Sequence, residues 1–324
     1  MAVNPQRTRV LLAFATLYIV WGSTYLAMHY AVATIPPMLM AGVRFTTAGV
    51  LLYSFARLRG AAPPAASHWR AGAIVGSLLM GGNACVAIAV QRIPTGVAAL
   101  LVAMTAIFIV LIDWARPQGR RPSLGVSLGL FVGLVGVGIL VDPGHVVSGD
   151  SIDPVGAGVV LFGSLLWSAG SIYSRHAARP ASALIGTSLH MFAGGLFVLG
   201  LSLVSGEAFT FDSGALSGIS VAAFLYLLTF GSLLGFTAYI YLLGVSTPAR
   251  VSTYAYVNPV VAVLLGWAFA GEQISTRILI ASAVIIGAVA LITTAGGSGP
   301  PRRRDQRRET EGADTCPITI VDAA

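Results

Sequence analysis

Runs of about twenty apolar residues, separated by short polar stretches that carry Pro, Gly or Arg, follow one another along the whole chain of 324 residues. A helix rises about 1.5 Å per residue, so about 20 residues cross a hydrocarbon core about 30 Å thick. On that measure the pattern predicts ten membrane-crossing helices, at about 9–33, 36–57, 69–90, 95–114, 122–141, 155–174, 181–205, 218–243, 249–270 and 274–294. The first run resembles a secretory signal, with Arg7 and Arg9 before it and Ala31-Val32-Ala33 after it. It is too long for a signal h-region, and its removal would leave nine spans.

The later five spans read as a degenerate copy of the earlier five. A shift of 146 residues superposes Trp21 on Trp167, Arg44 on His190, and Ala48-Gly49 on Gly194-Gly195. Slightly larger shifts bring Pro94 onto Pro248 and Gly136 onto Gly287. Because five is odd, the second half must enter the membrane from the opposite face. The fold expected is thus all-α and polytopic, with ten transmembrane helices as two inverted five-helix repeats about an axis in the membrane plane. Such an arrangement puts a substrate site near the midplane between the halves, where rocking of one half against the other gives alternating access. The expected organisation is a cytoplasmic N-terminus (1–8), a first repeat (9–141), an external linker rich in Gly, Pro and Asp (142–154), a second repeat (155–294) and a disordered cytoplasmic tail (295–324).

Composition agrees with lipid as the solvent: only 10% of residues are charged, against about 25% in soluble domains, and the mean hydropathy is +0.83. All 19 basic residues are Arg, and alternating the loops puts all but Arg44, Arg92 and Arg277 on one side. Basic loops stay cytoplasmic, so both termini are expected in the cytoplasm. The net charge of +7 reflects that topology and implies no nucleic-acid partner. The Arg cluster of the tail suits anionic lipid headgroups. Cys85 lies inside a span and Cys316 in the tail, so no disulfide is expected.

A few polar side chains lie where lipid alone would reject them. Arg44, about three residues from the centre of the second span, costs at least about 2.5 kcal/mol if unpaired. It either attracts an anionic or carboxylate-bearing substrate or ties neighbouring polar groups. His190, its counterpart, is the candidate for proton coupling, with packing as the other reading. Trp21 and Trp167 lie deep, unlike Trp69, Trp114 and Trp267 near span ends. At least one of the deep pair is expected to line a central cavity, where its N–H needs a partner, with packing between helices as the other reading. Gly22-Ser23-Thr24 and Tyr25 follow on the same helix, wetting a cavity wall or letting helices approach. Tyr254 and Asn258 share a face beside Pro259, which removes a backbone donor. They are site candidates, with a structural kink as the alternative. Gly81-Gly82-Asn83 interrupts the third span, and Asn83 joins the same polar surface or bridges two helices. Gly125, Gly129 and Gly133 form a row best explained by internal packing, so a monomer is expected, with a dimer face as the alternative.

The stretches Ile19-Val-Trp-Gly-Ser-Thr-Tyr-Leu26, Met40-Ala-Gly-Val-Arg-Phe45 and Thr253-Tyr-Ala-Tyr-Val-Asn-Pro-Val-Val-Ala-Val-Leu-Leu-Gly266 resemble the EamA group of the drug/metabolite transporter superfamily, most closely its YedA-type exporters. The resemblance covers about residues 9–294 and implies a carrier that moves small metabolites outward. Two departures stand out. The fourth span has Thr105-Ala106 where such chains usually place a short pair and then Pro, so the resemblance carries no bend there. An acidic residue often found just before the equivalent of Gln91 is absent, so no coupling role is carried over to that position.

No carboxylate lies near a span centre, which favours neutral, zwitterionic or anionic cargo over cations. The function expected is a secondary transporter exporting small metabolites, amino acids or related polar compounds. An intramembrane enzyme is the first alternative, but paired acids, a His-Glu-x-x-His run and a nucleophile with a His at helical spacing are all missing from the spans. A non-transporting scaffold or receptor is the second, and the interrupted duplication argues against it. No ATP-binding loop occurs, and no cofactor or metal is called for.

Overall fold

The computed structural model describes residues 5–117, 121–141, 152–246, 251 and 253–296. The first half holds α1 (Pro5–Ala31), α2 (Pro37–Leu58), α3 (Ala66–Ala89), α4 (Thr95–Val102), α5 (Thr105–Ala115) and α6 (Leu124–Val141). The second holds α7 (Pro154–Ser174), α8 (Ala183–Val204), α9 (Gly218–Tyr226), α10 (Gly235–Val245), α11 (Tyr254–Ala270) and α12 (Thr276–Gly296). No strand occurs among the described residues. Seven helical stretches are long and apolar enough to cross a membrane, and three shorter apolar helices join them. Residues 142–151 of the expected linker, most of the tail (297–324), Cys316 and Pro248 lie outside the described residues.

Helix starts follow local chemistry. Pro37 and Pro154 occupy first-turn positions, where a missing N–H costs nothing. Asp153, Ser182 and Ser217 cap α7, α8 and α9 by accepting from Val155 N, Ile185 N and Ser220 N, each contributing about 1 kcal/mol. The Val155 N–H, and then the Arg92 guanidinium 3.1 Å away, hold the exposed Asp153 carboxyl below its ordinary range. α11 stops at Gly271, whose φ of 67° is left-handed and suits a residue without Cβ.

Large apolar side chains such as Leu128, Phe131, Phe162 and Phe197 are exposed on the outer surface, as a lipid-facing wall requires. Inside, packing has no hydrophobic drive against lipid tails, so backbones approach through small residues. α2 runs along α8, α3 along α7 and α8, α6 along α12, and α1 along α11. A Cβ on Gly49 would sit 2.5 Å from Phe192 N and 2.7 Å from its Cα. At the α3–α8 crossing, Gly76 and Gly194 lie backbone to backbone, with the His190 carbonyl against Gly76. Gly82 and Gly163 do the same for α3 and α7. In the α6 row, Gly129 meets Ile292 and Ala288, and Gly133 meets Ile107, so these two face inward onto α12 and α5.

Two sequence-expected spans are not single helices. The fourth breaks at Ala103–Met104 into α4 and α5 without any proline. There Ala103 N reaches both Ala99 and Leu100 carbonyls and Met104 N reaches Leu101, a tightening towards i→i+3 bonding. The eighth widens into a π-helix over Leu227–Leu234 between α9 and α10.

The tight α3–α8 crossing sets an expected outcome. Gly194→Val would force side-chain atoms onto Gly76 and the Met80 Cγ 2.6 Å from the nominal Cβ, costing at least about 1–3 kcal/mol. Its melting temperature in detergent should fall clearly below wild type. Gly200→Ala, with no neighbour within 4 Å, should match or exceed wild type, and equal behaviour of the two variants would contradict this packing.

Candidate functional site

A cavity of about 790 Å³ opens between the two halves, within the range of small-molecule sites. Its wall includes Trp21, Tyr25, Arg44 and Asn83 from the first half and Trp167, Tyr254 and Asn258 from the second. All seven binding residues expected from the sequence therefore meet on one surface. His190 does not line it; its backbone packs against Gly76 where α8 crosses α3.

Each lining group is held by its own neighbours. Trp21 Nε1 donates to the Gly231 carbonyl at 3.2 Å, and its ring packs against Phe236, Tyr239 and Tyr254 at centroid distances of 5.2, 5.4 and 5.1 Å. Arg44 is only 2% exposed; its Nε donates to Ser232 Oγ at 2.9 Å, and its guanidinium carbon lies 4.5 Å from the Phe45 ring centroid. Asn258, 6% exposed, has its side-chain amide against the Tyr254 and Tyr18 carbonyls at 3.1 and 3.3 Å, two acceptors that assign the nitrogen to that position. It thus ties α11 to α1 as well as facing the cavity. Along α1 the small residues divide: a Gly22 Cβ would meet Val261 Cβ at 2.6 Å, Ser23 Oγ pairs with the Tyr226 hydroxyl at 2.6 Å, and Thr24 lines the cavity.

The π-helix was not legible in the sequence, yet it supplies both Gly231 and Ser232 to the site. The mid-span Gly231-Ser232 pair is its only visible signal. Ser164 and Thr105 are likewise lining residues that sequence reasoning missed. Thr105 sits at the α4–α5 break, where Ser168 Oγ donates to its carbonyl at 3.1 Å.

The cavity is open at one end and closed at the other. Its wall runs out to Asp113, Arg121, Ser123 and Arg175, of which Arg121 and Arg175 are exposed. Towards the opposite end it stops at buried Met28, Val86 and Ala99. Beyond them, carboxylates of the second half grip helix N-termini of the first. Glu272 Oε1 accepts from Thr95 N at 2.6 Å and Oε2 from Gly96 N at 3.3 Å. Glu207 Oε1 accepts from Met38 N and Leu39 N at 2.8 and 3.0 Å. Both use unsatisfied N–H groups and the positive end of a helix dipole. Gly266 makes the niche for Glu272, because a Cβ there would meet the carboxylate carbon at 2.7 Å. Gln91 Nε2 donates to the Val32 carbonyl at 3.2 Å and the Tyr30 hydroxyl to Phe269 O at 2.5 Å, completing the closure.

Comparison with known proteins gives a consistent result. The family model described as EamA-like transporter family matches residues 8–141 and again 154–294. The chain is 39% identical to the uncharacterized inner membrane transporter YedA of Escherichia coli strain K12, over 87% of this chain and 89% of that protein. It is 25% identical to a probable amino-acid metabolite efflux pump of Salmonella typhimurium, over 83% of this chain and 91% of that protein. A solved crystal structure shares the fold at a TM-score of 0.60 and 22% identity, covering 89% of this chain and 98% of that one.

The closed end carries its own test. Glu272→Ala leaves the Thr95 and Gly96 N–H groups without their acceptors, at about 1–3 kcal/mol for a buried unsatisfied donor. The melting temperature should drop and the end around Pro94 should become more reactive to a thiol probe at an introduced cysteine. Unchanged melting and reactivity would show that the clasp holds nothing shut.

Proposed function

The chain belongs to the EamA-like transporter family, and on that premise we propose that it is a secondary transporter exporting a small polar metabolite, an amino acid or a related compound, by alternating access. The observation that carries this reading is a cavity lined by both halves, whose wall reaches exposed Arg121 and Arg175 at one end and buried Met28, Val86 and Ala99 at the other. A carrier caught between loading and release needs that shape: polar groups inside, one exit fastened, the other free.

In this reading the chain crosses a bacterial inner membrane ten times as two inverted five-helix repeats, 9–141 and 155–294. The double match of the family model supports it. So does the packing, which maps onto itself when the halves are exchanged: α2 with α8 and α6 with α12 are self-paired, while α3 with α7 corresponds to α1 with α9 and α10. Loops rich in Arg lie in the cytoplasm with both termini, so the open mouth beside Arg121 and Arg175 faces inward, where an exporter loads. The cargo meets Trp21, Tyr25, Arg44, Asn83, Trp167, Tyr254 and Asn258. A proton role for His190 would act through the α3–α8 crossing, since the side chain is away from the cavity wall.

Purified protein in liposomes, screened by counterflow with labelled amino acids, sugars and nucleosides, should move at least one solute. Asn83→Ala and Trp167→Ala should each slow that solute at least about tenfold, the equivalent of about 1.4 kcal/mol. Failure of every solute to move would sink the transport reading, and normal rates in both variants would sink the site. If His190 couples protons, the wild-type rate changes between about pH 5 and 8 and is flat in His190→Ala; a flat wild-type profile removes that role. Tags at the two termini should both be inaccessible from outside intact cells.

A further inference from the structure

Four buried polar atoms on the cavity wall have no hydrogen-bond partner: Arg44 Nη1, Asn83 Oδ1, Thr105 Oγ1 and Ser164 Oγ. One is a cationic donor and the others are neutral. Arg44 has no ion-pair partner among the described residues. Its Nε is already fixed by Ser232, while Nη1 is left without a partner. An uncompensated charge this deep in a membrane is costly, and a carboxylate bound to the guanidinium removes that cost with charge-assisted bonds.

The opposite charge is what the wall does not offer. Asp113 is its single carboxylate among the described residues, and it sits at the mouth paired with Arg116 at 2.5 Å. Arg121 and Arg175 flank that same mouth, so the approach also favours anions. A bound ammonium would be left with neutral acceptors only, next to the Arg44 cation. The remaining polar atoms suit a neutral hydroxyl or amide. Trp167, which stacks on no other ring among the described residues, lines the cavity and suits an apolar or aromatic body.

Resting on the transport reading above, we propose that the cavity selects a net-anionic monocarboxylate with an aromatic or apolar body and a neutral hydrogen-bonding substituent, its carboxylate on Arg44, in preference to zwitterions and cations. Within that reading it selects the related compounds over free amino acids themselves, because a free α-ammonium is the feature that is rejected.

A matched set separates the charges at nearly constant shape: phenyllactate is an anion, phenylalanine a zwitterion and phenethylamine a cation. Binding is read on the wild-type protein in phosphatidylcholine nanodiscs, which bring no net-anionic headgroup, by quenching of tryptophan fluorescence and by the shift in melting temperature. Phenyllactate should bind at least about tenfold more tightly than phenylalanine, with no response to phenethylamine or inorganic phosphate. Arg44→Gln should abolish the preference, and Arg44→Lys should retain part of it. Equal or tighter binding of phenylalanine or phenethylamine overturns the inference, and the wild-type panel decides this even if Arg44→Gln does not fold. Counterflow of another solute with no response to any carboxylate also overturns it while leaving the transport reading intact. Absence of both binding and counterflow for every solute takes down both.

Discussion

Hydrocarbon cannot solvate a peptide group, so each backbone N–H and C=O inside the membrane must find a partner within the protein or beside water. An unmet group costs several kcal/mol, more than any one helix here could absorb. That constraint governs where helices are allowed to fail. Among the described residues they fail in three places: the α4–α5 break at Ala103–Met104, the π-helix at Leu227–Leu234, and Pro259 inside α11. Beside each, a side-chain donor meets a backbone carbonyl: Ser168 Oγ that of Thr105, Trp21 Nε1 that of Gly231, and the Asn258 amide those of Tyr254 and Tyr18. All three irregular segments border one cavity, which is where irregular backbone can be afforded.

Close helix contact is the complement of that irregularity. Gly49, Gly76, Gly82, Gly163 and Gly194 bring α2, α3, α7 and α8 to distances at which a Cβ would overlap backbone atoms. Removing side-chain volume at those crossings leaves the larger residues to face either lipid or the cavity. Asn83 and Ser164 flank the Gly82–Gly163 contact and reach the cavity wall for that reason. The same glycines fix helix spacing and determine which polar groups converge.

Much of this was legible in the sequence because hydropathy and charge obey a single strong rule in lipid. Helix limits such as 36–57 against the observed Pro37–Leu58, and 155–174 against Pro154–Ser174, follow from the length needed to cross. Trp21, Arg44, Trp167 and Asn258 stood out because deep polar or amphipathic groups are rare there. Other features left no such mark. The α4–α5 break has no proline, since the disturbance is satisfied by a serine on another helix, a partner sixty-three residues away. The π-helix depends on contacts from Trp21 and Arg44 to Gly231 and Ser232. The Glu207 and Glu272 clasps look like ordinary loop acids until the fold brings helix N-termini to them. His190 matched Arg44 in register but not in exposure to the cavity, because α8 packs against α2 and α3 and none of its residues lines the wall.

In the proposed cycle, the closed end must be firm enough to exclude water and weak enough to open. Its two clasps are hydrogen bonds to charged groups, each contributing about 1.5–3 kcal/mol net because water replaces the partner when the bond breaks. Two conformations of a working protein differ by a few kcal/mol, so the clasps are of the size that sets the balance without locking it. Their geometry adds direction: carboxylates of the second half hold the N-termini of α2 and α4 in the first half. α4 also leads through the Ala103–Met104 break into Thr105 at the cavity wall. A helix gripped at its N-terminus and interrupted one span-half later can transmit movement of the cargo site to the far exit as a rotation about that break. In that proposed cycle the interruption at the centre and the clasp at the end would be two parts of one gate.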